Sequence, residues 1–73
     1  MDISVQARLG HAIREERHRS GLSQEELATK SGQHRTYISG IERGRRNVSL
    51  VALCKLAEGL EIAPSALLKA AGL

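Results

Sequence analysis

The most informative residues for the fold of this 73-residue chain are Gln24-Glu-Glu-Leu-Ala-Thr-Lys-Ser-Gly-Gln-His-Arg-Thr-Tyr-Ile-Ser-Gly-Ile41. Two helices joined by a short, steep turn need a small residue at their closest approach and a residue that tolerates positive φ in the turn. Ala28 and Gly32 meet these needs, and Ile38 and Ile41 form an apolar stripe that seats the second helix on a core. Together with Gln24 as the first position, these residues have the spacing of a helix-turn-helix.

Helical periodicity continues before this unit. Between about Ser4 and Ser20, the apolar residues Val5, Leu9, Ala12 and Ile13 recur at i, i+4, i+7 and i+8. This pattern is typical of an amphipathic helix with one buried stripe. The sequence therefore predicts a first helix over this range, with all four residues facing the core.

The other helices are predicted from their start signals. Ser23-Gln-Glu-Glu26 is a capping box and begins a helix over about 24–31, and the next helix covers about 35–43. Ser49 is the predicted N-cap of a fourth helix, and Pro64 suits the first position of a fifth, over about 64–71. The predicted buried stripe of the fourth helix is Leu50, Leu53, Leu56, Ala57 and Leu60.

Glycines separate the periodic segments at Gly21, Gly32, Gly44 and Gly59. A residue just after a helix often adopts the left-handed conformation, so each of these glycines predicts a helix C-terminus. No strand-like alternation and no repeat is visible. The sequence predicts an all-α fold of five short helices, in a single domain over 1–73 with its helix-turn-helix motif at about 23–43.

Charge and cysteine content restrict the classes of function. A single cysteine, Cys54, excludes an internal disulfide framework and a Cys-based zinc site, and we expect it to be a small core residue. The segment from Lys30 to Arg46 holds five basic residues and one acid, which indicates a polyanionic partner. With no membrane-spanning apolar run and no signal-peptide pattern, we expect a cytoplasmic protein without a membrane partner.

These motifs resemble a known family. The stretch 21–28 with Tyr37-Ile-Ser-Gly-Ile-Glu-Arg-Gly44 is similar to the helix-turn-helix core of phage-repressor or Cro-like regulators, the XRE family. The resemblance covers about Leu9 to Leu68 and implies a compact five-helix, lambda-repressor-like DNA-binding domain. More narrowly, 35–43 with Arg46-Asn47 is similar to the controller proteins of restriction–modification systems, small dimers that regulate their own operon and the endonuclease gene. The alternatives are an antitoxin or phage-type repressor, or a protein-interaction adaptor on the same fold.

The second helix of the motif is the one that enters the major groove of DNA. Arg35, Thr36 and Ser39 point away from the isoleucine stripe, so we predict that they read bases, Arg35 through a bidentate contact to guanine. Gly40 has no side chain, so we expect a narrow reading surface. A second set is predicted to contact the DNA backbone: Gln24, Tyr37, Arg43, Arg46 and Asn47.

An acid beside DNA needs a separate explanation. The resemblance implies that Glu42 pairs with Arg17 on the first helix, and we interpret both as structural.

Because one unit reads only a few base pairs, we expect a homodimer on an operator with two half-sites. RNA polymerase is expected as a further partner if the protein activates transcription. The predicted dimer interface is helix 5 and the tail, with Leu67, Leu68 and Leu73. The alternative is that the first two of these leucines close the core of a monomer.

Catalytic and metal-binding functions are not expected. His11, Glu15 and His18 have a metal-ligand spacing on the first helix, but no fourth ligand is visible, so a solvated polar face is predicted. No nucleophile with a matching base is present. The sequence predicts no enzyme activity, no metal and no cofactor. His34 stands before the third helix, where Ser, Thr or Asp would cap better.

Overall fold

The computed structural model describes residues 3–73, and this range forms five α-helices without a β-strand. α1 packs against α3 and α5, α2 packs against α3 and α4, and α4 packs against α5. The predicted all-α class is confirmed, and the helix bounds agree with the predicted ones to within one or two residues. The helices are α1 Val5–Arg19, α2 Gln24–Ser31, α3 Arg35–Glu42, α4 Leu50–Gly59 and α5 Pro64–Ala70.

Three helices begin at serines that accept a hydrogen bond from the first turn. Ser4 and Ser49 each accept from the backbone N–H three residues later at 3.1 Å. Ser23 does the same with Glu26 at 3.0 Å, and the Glu26 carboxylate accepts from the Ser23 N–H at 2.9 Å. This reciprocal pair is the predicted capping box. α3 begins at His34 without a side-chain cap.

The helix ends use left-handed residues, with one difference from the prediction. Gly21, Gly32 and Gly44 have φ of 71°, 68° and 73° and follow α1, α2 and α3 as predicted. Gly59 is the last residue of α4, so the helix end predicted there is confirmed, but Gly59 itself is helical; the left-handed residue after α4 is Glu61, with φ 58°. A Cβ on Gly59 would lie 3.2 Å from the Leu27 side chain, so this glycine serves close packing of α4 against α2.

Every helix contributes to one apolar core. Its fully buried large side chains are Ile13, Leu27, Ile38, Ile41, Leu56 and Leu67. Two predicted core residues are not in it, because Val5 is 54% exposed and Leu50 is 76% exposed. Each is the first residue of its helix and turns its side chain to the surface, although Ala52 and Leu53 in the same first turn of α4 are buried. Cys54, predicted as a core residue, is also exposed, one turn after Leu50 on the same side of α4.

A very close approach between α1 and α3 lies at Gly10, which was not predicted from the sequence. A Cβ at this position would lie 2.0 Å from the Ile41 carbonyl oxygen, far inside contact distance. The backbones of α1 and α3 therefore touch, which only glycine permits. A glycine inside a helical pattern often has such a packing reason, and this was the available signal.

The two ends of the described chain are joined. The Arg8 guanidinium donates through Nε to the Ala71 carbonyl at 3.0 Å and through Nη2 to the Gly72 carbonyl. These bonds satisfy carbonyls at the end of α5, where a helix leaves acceptors without intrahelical partners. In residues 3–73, none of the helices has the length and apolar character needed to cross a membrane.

Candidate nucleic-acid interface

A buried ion pair joins α1 to the end of α3. Arg17 donates to Glu42 from Nε to Oε2 at 2.7 Å and from Nη2 to Oε1 at 2.9 Å, and its Nη1 donates to the Leu22 carbonyl at 2.9 Å. The two side chains are only 9% and 4% exposed. Two parallel bonds between planar groups fix both distance and orientation. The pair sets the position of α3 relative to α1.

The electrostatics of this pair favour its charged form. Burial raises the pKa of the Glu42 carboxyl, but hydrogen bonds from Arg17 and Gln24, with the charges of Arg17 and Arg14, outweigh burial and hold the pKa below its usual value. The hydrogen bond to Glu42 likewise raises the pKa of Arg17. Glu42 is therefore ionised at neutral pH and accepts hydrogen bonds only.

A third side chain belongs to this network. Gln24, the first residue of α2, donates from Nε2 to Glu42 Oε1 at 3.1 Å. From the sequence this glutamine was predicted to contact a DNA phosphate, and its contact with Glu42 was not predicted. The structure shows that one of its two amide hydrogens is already used inside the protein.

A shallow cleft between α2 and α3 brings most of the candidate DNA-binding residues together. Arg35 and Thr36 are exposed, Ser39 is half-buried, and Arg43 donates from Nε to the Ser39 carbonyl at 3.3 Å. The isoleucines of α3 lie on its opposite, fully buried side. We call this surface the α2–α3 cleft; its lining residues are Gln24, Arg35, Thr36, Ser39 and Arg43.

Gly40, whose missing side chain predicted a narrow reading surface, is not an open position. It is buried, and a Cβ there would lie 3.0 Å from Cγ of Arg46. The Arg46 guanidinium carbon lies 5.8 Å from the centre of the Tyr37 ring, within cation–π range. The side chain of Arg46 thus crosses α3 through the space that the glycine leaves.

The segment 43–47 is seated on the first turn of α1. A Cβ on Gly44 would lie 2.9 Å from Cα of Ala7, so the loop backbone rests directly on that helix. Gln6 donates from Nε2 to Oδ1 of Asn47. Gln6 was not among the residues predicted from the sequence. Its contact holds Asn47, a predicted backbone-contacting residue, beside α1.

The predicted dimer interface needs correction. Leu67 is fully buried in the core of the protomer, and Leu68 is half-buried against that core. Leu67 is therefore unavailable to a partner, and its prediction is wrong because α5 turns this side chain toward the other helices. Leu73 is 49% exposed. The large apolar side chains that lie exposed within residues 3–73 are Ile3, Val5, Leu50, Val51 and Leu73.

The polar face of α1 does not assemble metal ligands. Nε2 of His11 lies 3.8 Å from Oε1 of Glu15, and both side chains are exposed. Over the described range 3–73, no three His, Cys, Asp or Glu side chains are grouped so that they could hold a metal ion.

Comparison with known proteins gives consistent matches. The family described as Helix-turn-helix matches residues 13–67. Control protein C.BamHI of Bacillus amyloliquefaciens is 44% identical over 69 residues, which is 93% of this chain and 85% of that protein. The restriction–modification controller protein C.AhdI from Aeromonas hydrophila is 52% identical, with TM-score 0.83 over 85% of this chain and 94% of that one. The clp gene regulator ClgR from C. glutamicum is 30% identical, with TM-score 0.94 over 99% and 92%.

Proposed function

We infer that this chain, which belongs to the helix-turn-helix family and within it to the controller proteins of restriction–modification systems, regulates transcription by sequence-specific binding of double-stranded DNA as a homodimer. The observation that carries the mechanism is the α2–α3 cleft. It exposes two guanidinium groups, two hydroxyls and one amide on the side of α3 opposite its buried isoleucines.

Base readout is assigned to the first turns of α3. Arg35 is at the N-terminus of the helix and exposed, so its guanidinium can reach guanine O6 and N7 in the major groove. Thr36 and Ser39 lie beside it in the cleft and offer hydroxyls to bases or phosphates. These three residues determine which sequence is bound.

Contacts to the DNA backbone are assigned to both sides of α3. Gln24 approaches a phosphate from the start of α2, and Tyr37 approaches the backbone from the first turn of α3. Arg43, Arg46 and Asn47 approach it from the C-cap of α3 and the following loop. The stacking of Arg46 on Tyr37 and the bond from Gln6 to Asn47 support this arrangement, because they hold side chains of the set before DNA arrives. Such contacts supply affinity and salt dependence rather than sequence preference.

We assign the dimer interface to α4, because Leu67 is buried in the core of the protomer. Leu50 and Val51 are 76% and 64% exposed, and the exposed Cys54 follows at helical spacing on the same side. We call these three residues the α4 apolar strip. A symmetric pair of strips buries apolar surface from both protomers, which is the main source of stability in homodimer interfaces. Leu68 and Leu73 remain candidates for the edge of the interface.

The regulated genes are proposed from the relatives. As a controller, the protein acts on its own operon and an endonuclease gene. RNA polymerase is its partner when a bound dimer lies upstream of a promoter, and a dimer that covers the promoter represses. It acts in the cytoplasm on nucleoid DNA and has no catalytic activity. A regulator of other genes is the second candidate, because ClgR shares the fold closely.

Selection of bound sequences from random DNA tests this function. We expect a two-fold symmetric site with half-sites about one helical turn apart. Affinity for that site should fall steeply between 50 and 200 mM salt, roughly in proportion to the number of phosphates contacted. Failure to enrich any sequence contradicts the proposal. A site upstream of methyltransferase and endonuclease genes favours the controller over the second candidate.

A further inference from the structure

The amide of Gln24 is held in one orientation. Oε1 of Glu42 accepts from Nη2 of Arg17 and from Nε2 of Gln24, at 2.9 and 3.1 Å. An ionised carboxylate accepts and does not donate, so the nitrogen of the amide has to face it. Rotating the amide by a half-turn would bring two oxygens together at hydrogen-bond distance. The nitrogen therefore points inward and the amide oxygen is directed elsewhere.

This orientation bears on the DNA contact assigned to Gln24. Gln24 is the first residue of α2 and lines the α2–α3 cleft beside Arg35 and Arg43. Phosphate oxygens also only accept, so a phosphate has to be met by an N–H. Glu42 uses one hydrogen of the amide nitrogen, and the second remains for DNA. Backbone N–H groups in the first turn of a helix are further donors to a phosphate.

We propose that Glu42 is the positioning residue for the DNA contact of Gln24, because its carboxylate selects which atoms of the glutamine amide are presented to the phosphate. Arg17 completes the arrangement from α1, since it fixes the carboxylate through two hydrogen bonds and neutralises its charge beside the polyanion. The inference rests on the proposed function, and it gives Glu42 a role in DNA binding beyond joining α1 to α3.

A purely structural role makes a different prediction. If the bond from Gln24 to Glu42 only joins α2 to α3, loss of either side chain lowers the free energy of unfolding without any linked effect on DNA affinity. If Glu42 positions Gln24, the effects of the two residues on DNA affinity depend on each other. A double-mutant cycle on the dissociation constant separates these cases.

The cycle uses Gln24→Met, Glu42→Gln and the double variant, with the operator found by selection as ligand. Met keeps the length of the glutamine side chain and removes its hydrogen bonds. We expect Gln24→Met to weaken binding roughly tenfold, as for loss of a hydrogen bond to a charged group. Glu42→Gln should weaken binding at least as much, and the double variant should bind no more weakly than Glu42→Gln. Independent effects, which multiply to roughly 100-fold, overturn the inference.

Two further variants make the outcome decisive. Glu42→Asp keeps the charge and moves the carboxylate back by one methylene, so it provides a second cycle if Glu42→Gln does not fold; the same lack of additivity is expected. Leu56→Ala, in the core of α4 and fully buried, is the control for lowered stability alone and should keep the wild-type affinity wherever it is folded. Additive effects with intact wild-type binding reject only this inference, whereas loss of selection by the wild type rejects the proposed function.

Discussion

α3 and α4 each bury one side against the same core, but they differ in the other contacts that fix their positions. α3 touches α1 through backbone at Gly10, ends in the buried pair of Glu42 with Arg17, and carries the side chain of Arg46 across Gly40. α4 relies on apolar packing and is followed by a left-handed Glu61. Directional polar bonds and backbone contact determine orientation more closely than apolar burial does. They occur on α3, the helix that we propose enters a DNA groove.

The largest expected effect comes from removing the buried ion pair that holds α3 against α1. Arg17→Met leaves the Glu42 carboxylate buried without its partner, and we expect a loss of about 3–4 kcal/mol in the free energy of unfolding. Denaturant titration measures it. Arg19→Met is the matched control, because Arg19 pairs with Glu16 at the surface and its loss should cost less than about 0.5 kcal/mol. Equal effects from the two substitutions would show that the buried pair has no special role.

Two glycine substitutions sharpen the contrast between backbone and side-chain contact. At Gly10→Ala the new Cβ meets the Ile41 carbonyl at 2.0 Å, so α1 and α3 must separate, and we expect a loss of about 3 kcal/mol. At Gly59→Ala the nearest atoms are 3.2 Å away in the Leu27 and Ser31 side chains, and helix propensity offsets the strain to within about 1 kcal/mol. Thermal unfolding of both variants checks this, and a larger loss at Gly59 would reverse our assignment of the tighter contact.

Acidic pH should lower the free energy of unfolding, because it protonates the carboxylate of Glu42 at the end of α3. Its pKa is lowered in the folded protein, with Arg17 and Arg14 of α1 and Gln24 of α2 facing the carboxyl. The stability it contributes is present above the unfolded-state pKa of about 4.3 and is lost as pH falls through the lower folded pKa. We expect the unfolding free energy of the wild type to fall more steeply below about pH 5 than that of an Arg17→Met/Glu42→Leu variant. The remaining slope includes Glu26, whose pKa is lowered by hydrogen bonds from Ser23. If the free energies of unfolding of the two proteins fell in parallel with pH, groups other than Glu42 would cause the acid sensitivity.

A charged substitution in the α4 apolar strip tests whether this strip forms the dimer interface. Val51→Glu puts a carboxylate at the centre of the proposed interface, so we expect the dimer dissociation constant to rise at least about tenfold, or about 1.4 kcal/mol. Sedimentation equilibrium measures this constant. Val5→Glu on α1 is the matched control, with a similar exposure of 54% against 64%, and should leave dimerisation unchanged. The reverse pattern would place the interface near the start of α1.

The smallest effect concerns two helix ends. Glu61 has φ 58°, where a residue with a Cβ is strained by about 1–2 kcal/mol, so Glu61→Gly should stabilise the protein by about 1 kcal/mol after the entropic cost of glycine. Gly32→Ala, at φ 68° in the turn before α3, should destabilise it by a similar amount. Melting temperatures of both variants measure the difference. A destabilised Glu61→Gly would mean that the Glu61 side chain contributes more than its backbone conformation costs.

The features predicted correctly from the sequence depend on chemistry between residues that are close in the chain. Helix starts depend on a cap or a proline within a few residues, as at Ser23, Ser49 and Pro64, so short patterns predicted them. The turn at Gly32 and the isoleucine stripe of α3 were predicted for the same reason. The partner of Glu42 came from resemblance rather than spacing, since 25 positions separate it from Arg17.

Contacts between residues far apart in the chain could not be predicted from local patterns and became visible in the folded protein. Helical periodicity does not say that Gly10 meets Ile41, that Gln24 bonds to Glu42, or that Arg46 covers Gly40. Nor does it distinguish the buried Leu67 from the exposed Leu50, because both occur in an apolar pattern, and only the position of neighbouring helices decides which one is covered. Backbone patterns are set over a few residues, whereas the geometry of the proposed DNA-binding surface depends on how α1, α2 and α3 meet.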